Sequence, residues 1–443
     1  MTHRKPLLLR GARQVGKTFM VQQFGKSFAH CVSINFELEP HYKSCFEESH
    51  PDKIIPLLSA LSGQPILDGE TLLFLDEIQV CPRALQALRY FKELRPALHV
   101  IAAGSLIEFA LHREQVSMPV GRVEYLYMRP CSFREYLENS GHETLLAFLN
   151  TVTIATGIPT AIHERLLGLF REYMVIGGMP EAMQMYVGTR DLLAVQRIHN
   201  SILQTYQDDF GKYASLSQQS CLQTVFDKTP GQVGQQISFA KFAPEYRSRE
   251  LKQAMVLLEY AGVIQSIYAT CASGLPLVTT KNEKKFKLAF LDIGLVQRKS
   301  GFGQALLLTQ NWLQLNHGAL AEQVVAQELM AYQDPFSAPE LFFWARDQRG
   351  SQAEVDYVTH QGAQIVPIEV KSSATGHLRS LKLLMQERNL PLGIKVSMAP
   401  LTLTGAVLNW PIYLLWRLGE MIEGLSAASL SIPSSQSKTI PLE

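Results

Sequence analysis

The sequence predicts an α/β chain of several domains, and three observations carry that expectation. Short apolar runs alternate with helical patterns from residue 6 to about 128, a glycine-rich loop joins the first run to a helix, and a second α/β stretch follows Gly318. The 443 residues suffice for two or three domains, each with its own core.

"PLLLR", "CVSINF", "TLLFLDE", "HVIAAGS" and "VEYLYM" read as buried parallel strands covered by helices on both faces, which sets a core over residues 1–129. Residues 130–205 turn helical, with a break at Gly177 to Pro180, "GGMP". Residues 206–304 read as a small winged-helix-like domain. Its helix is "RELKQAMVLLEYAGVI", and its ribbon, "SGLPLVTTKNEKKFKLAFLD", has a lysine-rich tip. Residues 305–420 run helix ("GALAEQVVAQELMAY"), three strands ("ELFFWAR", "AEVDYVTH", "QIVPIEVK"), helix ("HLRSLKLLMQER") and strand ("LGIKVSM"). Residues 421–443, rich in Ser and Pro, read as a mobile tail.

The composition is 47% apolar and 18% charged, and the net charge of +1 gives no whole-molecule field to attract DNA. Any nucleic-acid contact would need a local patch. The six cysteines are scattered without C-x-x-C, so free thiols are expected rather than zinc or a disulfide framework. The start, "MTHRKPLLLRGARQ", has too short an apolar run for a signal peptide. No uncharged stretch reaches the roughly 18 residues of a membrane span. A cytoplasmic protein with no membrane partner is the expectation.

"GARQVGKT", Gly11 to Thr18, matches G-x-x-x-x-G-K-[ST] between a strand and a helix. Gly11 and Gly16 let the backbone N–H groups turn inward around phosphates, with Gln14 and Val15 between them. Lys17 would reach the β and γ phosphates, and Thr18 would offer its hydroxyl to Mg²⁺. "TLLFLDEIQ" ends a strand in Asp76, a further Mg²⁺ partner, and in Glu77, which would polarise the attacking water. The plainer reading of this acid pair is a cap on the next helix. Ser105, after "HVIAAG", is either a sensor of the γ-phosphate or a helix N-cap. Arg122 is either an arginine finger for a neighbouring subunit or a surface arginine.

The run "LRGARQVGKT … LLFLDEIQ … AAGS … GRVEYLYMRPCSFREYL … GGMPEA" resembles prokaryotic AAA-type ATPases in which a nuclease-like domain of unknown function follows the ATPase domain. The resemblance covers nearly the whole chain apart from the tail. It implies ATP as the nucleotide and hydrolysis at Gly11, Gly16, Lys17, Thr18, Asp76 and Glu77. It also places Ser105 and Arg122 at the family's sensor serine and Gly-Arg pair. Five residues precede "PLLLR", fewer than this family usually has, so either weak base affinity or a natural N-terminus beyond the given chain is expected.

"AEVDYVTHQGAQIVPIEVK", residues 353–371, would bring Asp356, Glu369 and Lys371 together across a hairpin. The two carboxylates suit Mg²⁺ or Mn²⁺, Lys371 would activate water, and Glu322 on the preceding helix could join the metal set. The α-β-β-β-α-β order with D-x(12)-E-x-K resembles the PD-(D/E)XK core, and so implies a restriction-endonuclease-like C-terminal domain. "KNEKKFK", Lys281 to Lys287, is either a DNA-phosphate contact or a solvated hairpin. The expected protein is a Mg²⁺-dependent ATPase of AAA type acting on DNA through its C-terminal domain. The alternative is a nucleotide-gated switch with a silent C-terminal domain and a homo-oligomeric or protein partner.

Overall fold

Five parallel strands form the front sheet of the computed structural model, which describes residues 4–109, 121–301, 318–348, 351–371 and 378–430. They are β1 (Leu7–Arg10), β2 (His30–Asn35), β3 (Thr71–Asp76), β4 (His99–Ala103) and β5 (Glu124–Tyr127), in the order β2-β3-β4-β1-β5. All six positions of β3 are buried, as an inner strand covered on both faces requires. One face packs Phe36, Phe46, Leu58, Leu85 and Phe91 beneath the helices α2 (Pro51–Ser62) and α3 (Pro82–Leu94). The other packs Leu9, Phe74 and Ile101 against Val21 of the helix α1 (Lys17–Gly25). This is the expected P-loop-type α/β arrangement. Because β3, β4 and β1 are neighbours in one direction, the ends carrying Asp76, Gly104 and Gly11 lie along one edge.

The chain folds into two compact units, each assembled from three stretches. The first takes residues 1–142, 170–267 and 285–340, and the second takes 143–169, 268–284 and 341–443. This differs from the expected boundary at 305, because the helix Ala319–Ala331 is built into the first unit. Its Gln323 brackets Phe290, accepting from the backbone N–H at 2.9 Å and donating to the carbonyl at 2.8 Å. Gln327 accepts from the Ile293 N–H at 2.8 Å and donates to the Tyr173 hydroxyl and to Asp292. The carboxylate of Glu328 accepts from the Phe133 N–H and from the hydroxyls of Tyr173 and Tyr332. A helix buried almost all round thus satisfies polar backbone that no strand reaches.

The break at Gly177 to Pro180 belongs to the same core. Asp292 accepts from the Gly178 N–H at 2.6 Å, and a Cβ on Gly177 (φ +74°) would stand 2.2 Å from Asp292 Oδ1. A Cβ on Gly178 would meet the Cys131 carbonyl oxygen at 2.0 Å. Gly177 is therefore needed beside the Asp292 carboxylate, and Gly178 where backbone meets backbone. Burial pushes the Asp292 carboxyl up to about 6 against the hydrogen bonds that hold it.

An eight-stranded sheet follows, with β6 (Ile264–Thr270), β7 (Lys281–Phe290), β8 (Phe342–Ala345), β9 (Glu354–Gln361), β10 (Gln364–Val370), β11 (Gly393–Ser397), β12 (Thr402–Thr404) and β13 (Val407–Pro411). Its order is β12-β13-β11-β10-β9-β8-β6-β7. The helix-then-strands order expected after Gly318 is present, with the helix Arg379–Glu387 between β10 and β11. The lysine run departs from expectation: residues 271–280 form the connection, and Lys281 to Lys287 lie within β7 itself. Residues 286–290 of β7 are all buried, and within them Lys287, 1% exposed, pairs its Nζ with Glu322 at 3.0 Å. Only Lys284 of the four lysines is exposed, so there is no four-lysine tip. All six cysteines are free, three of them buried. The expected tail begins as the helix Leu418–Leu430, and residues 431–443 lie outside the described residues. Among the described residues, no helix is long and apolar enough to cross a membrane.

Candidate functional site

The loop between β1 and α1 has the backbone that its glycines predict. Gly11 adopts φ +143° and Gly16 φ +91°, and a Cβ on Gly11 would lie 2.3 Å from the Met128 carbonyl oxygen. Gln14 is left-handed at φ +62°, and Val15 is buried. Gly16 caps α1 without any side-chain acceptor, and the first turn holds no acid. Its leading N–H groups are thus suited to an anion.

Lys17, 7% exposed, donates its Nζ to the carbonyls of Gly11 (2.9 Å) and Ala12 (2.8 Å). Burial lowers its pKa to about 8, while Glu77 and Asp76 act in the opposite direction. The Thr18 hydroxyl donates to Asp76 Oδ2 at 2.8 Å, and the Asn35 amide approaches the same oxygen at 3.4 Å. The parallel register sets Asn35 opposite Asp76. A hydroxyl and a carboxylate side by side are hard oxygen donors of the kind Mg²⁺ takes alongside phosphates and water.

Glu77 is left-handed at φ +49°, and its Oε2 accepts from Gln79 Nε2 at 2.5 Å. A Cβ on Gly104 would come within 2.1 Å of Gln79 Oε1, so the amide occupies the space just after β4. Gln79 was not singled out from sequence, although the left-handed Glu77 accounts for its role. A strained turn swings the acid back toward the amide two residues on. Ser105, 6% exposed, accepts from Arg13 Nε at 3.2 Å. Arg122 is exposed and bonds Glu93 of α3 at 2.8 Å. Together with Arg89, it holds the Glu93 carboxyl below its ordinary range.

In the second unit, antiparallel β9 and β10 pair Tyr357 with Ile368. Asp356 Oδ2 accepts from the Val370 N–H at 2.7 Å, the amide between Glu369 and Lys371. Lys371 Nζ pairs with Glu369 Oε1 at 2.5 Å. The β10–β11 register sets Lys395 opposite Glu369. Lys395 is 6% exposed, and burial and then the Lys371 charge lower its pKa. It is a fourth charged member that sequence reading missed, since only register reveals it. Glu322 is taken by Lys287 in the first unit, and no group of three or more His, Cys, Asp or Glu among the described residues is placed to hold a metal ion.

Residues 3–137 match the family described as AAA domain. Residues 167–305 and 317–404 match two domains of unknown function, DUF8612 and DUF4143. No curated protein matches the chain. Among solved structures, a Walker-type ATPase of Pyrococcus abyssi is similar at 13% identity and TM-score 0.40, over 67% of this chain and 91% of that one. The ORC2 protein of Aeropyrum pernix is similar at 15% identity and TM-score 0.34, over 70% and 90%. Likenesses this distant fix neither substrate nor partner. The front of the chain carries an AAA-type, ATP-binding P-loop ATPase domain.

Proposed function

We propose that this protein is a Mg²⁺-dependent ATP hydrolase. The observation that carries the reading is the Thr18–Asp76 hydrogen bond at 2.8 Å beside a left-handed Glu77. When bound, Mg²⁺ would draw charge from the β and γ phosphates, with Thr18 and Asp76 as its protein partners. The N–H groups of the loop from Gly11 to Gly16, together with Lys17, hold the phosphates. Glu77, steadied by Gln79, orients and polarises the attacking water. Ser105 reads the γ-phosphate, and Arg122 serves a neighbouring subunit's nucleotide.

In the C-terminal part, Asp356, Glu369 and Lys371 on adjacent strands support a nuclease-like action on DNA, coupled to ATP turnover. A second reading is favoured by one observation: Asp356 is engaged by backbone, Glu369 by Lys371, and no three-acid metal group is present among the described residues. On that reading the cluster is structural, and ATP gates a protein partner.

One experiment separates the readings. Purified protein is assayed for phosphate release and for cleavage of linear, single-stranded and branched DNA in Mg²⁺ or Mn²⁺. Lys17→Ala should abolish nucleotide binding, and Glu77→Gln should bind ATP without turnover. Equal turnover in Glu77→Gln and wild type would remove Glu77 from its role. Cleavage lost in Lys371→Ala favours the nuclease, and no cleavage by an active ATPase favours the switch.

A further inference from the structure

Arg13 stands inside the phosphate loop, yet the G-x-x-x-x-G-K-[ST] spacing asks nothing of that position. Its guanidinium faces three groups of the first unit. Nε donates to Ser105 Oγ at 3.2 Å, one terminal nitrogen donates to Asp209 Oδ1 at 3.1 Å, and the other lies 3.7 Å from Glu37 Oε2. Its backbone carbonyl accepts from the Tyr206 hydroxyl at 2.7 Å. Asp209 closes the helix Leu192–Asp208, and its side chain is only 6% exposed. Lys212 approaches the same Asp209 oxygen at 3.1 Å.

The direction of the Ser105 bond matters. A serine oxygen that accepts an N–H on a lone pair has its own proton to give elsewhere. Arg13 thereby keeps Ser105 a donor, the role needed to meet a phosphate oxygen. The planar fork also lets one residue hold a hydroxyl and a buried carboxylate together, which a lysine ammonium does not do in fixed directions.

We propose that Arg13 is a positioning residue of the ATP site: it orients Ser105 as a hydrogen-bond donor toward the γ-phosphate and, through Asp209, ties the phosphate loop to the helix Leu192–Asp208. The inference rests on the ATPase reading above.

The test compares the affinity of the full chain for a non-hydrolysable ATP analogue with its affinity for ADP, by calorimetry, alongside ATP turnover. Ser105→Ala and Arg13→Lys should each lower the preference for the analogue about tenfold, the effect of one lost charge-assisted or phosphate hydrogen bond, with ADP affinity unchanged. The double variant should be no worse than Ser105→Ala alone, since both act through one contact. Asp209→Ala, which keeps the arginine but removes its anchor, should lower the preference in the same direction. An unchanged preference in Arg13→Lys overturns the proposal, as do losses that multiply in the double variant. Should Arg13→Lys lose ADP binding as well, Asp209→Ala decides: a lowered preference supports the proposal and an unchanged one overturns it. Wild type that binds both nucleotides without turnover sinks the ATPase reading, while the preference still judges Arg13. Wild type that binds neither nucleotide sinks both.

Discussion

Replacing Glu328 by glutamine removes a charge from the interior of the first unit and keeps its shape. Glu328 is 2% exposed, and its Oε1 accepts from the Phe133 N–H and the Tyr173 hydroxyl, both at 3.0 Å. Its Oε2 accepts from the Tyr332 hydroxyl at 2.9 Å. Burial pushes the carboxyl from 4.5 up to about 7, with these hydrogen bonds pulling the other way. A folded value above the unfolded one means stability that is full below 4.5 and lost as pH rises through about 7. Linkage makes the loss between about pH 6 and 8 on the order of 1 kcal/mol. In Glu328→Gln, Oε1 keeps its two donors, and the Tyr332 hydroxyl can turn to accept from the new amide. The variant should therefore lack this part of the decline. Glu328→Ala strands the Phe133 N–H, which cannot turn away, and the Tyr332 hydroxyl, while Tyr173 keeps the Cys131 carbonyl at 2.8 Å, so the loss is about 2 kcal/mol or more. Urea unfolding at the two pH values, followed by circular dichroism, measures both effects. Equal pH dependence in wild type and Glu328→Gln would refute the reasoning.

Two glycines offer opposite outcomes for the same substitution. Gly178→Ala forces a Cβ to 2.0 Å from a backbone oxygen that cannot retreat, because the Cys131 N–H is itself bonded to the Gly178 carbonyl at 2.7 Å. A loss of about 3 kcal/mol is expected, and an unchanged melting temperature would count against the crossing. Gly188→Ala, inside the helix Pro180–Thr189 with open space around it, should gain about 0.5–1 kcal/mol. For Arg122, mixing Arg122→Ala with Lys17→Ala subunits should restore part of the ATP turnover. No rescue at concentrations that support assembly leaves Arg122 as the surface partner of Glu93.

The front site was legible because its chemistry is local. The loop and the first residues of α1 lie within eight consecutive residues, and the six-residue run of β3 can only be an inner strand that delivers Asp76 to the edge. The C-terminal hairpin was legible through period-two alternation. Arg13 and Asp209, 196 positions apart, carry no such signal, and neither does Lys395 opposite Glu369. The lysine run misled because charge suggests exposure, whereas the last five residues of β7 are buried throughout and Lys287 pairs there with Glu322. The buried acids were invisible for the opposite reason: nothing in "LDIG" or "AQEL" states that Asp292 and Glu328 answer orphan backbone donors from "RPCSF" and "GGMP".

Neither compact unit corresponds to one uninterrupted stretch of gene. A recombination event that exchanged residues 341–443 would leave residues 143–169 and 268–284 of the same unit with the old lineage. A shuffled descendant would have to rebuild matched packing from mismatched parents. Interleaving therefore acts as a barrier to modular exchange: no single crossover transfers either compact unit whole.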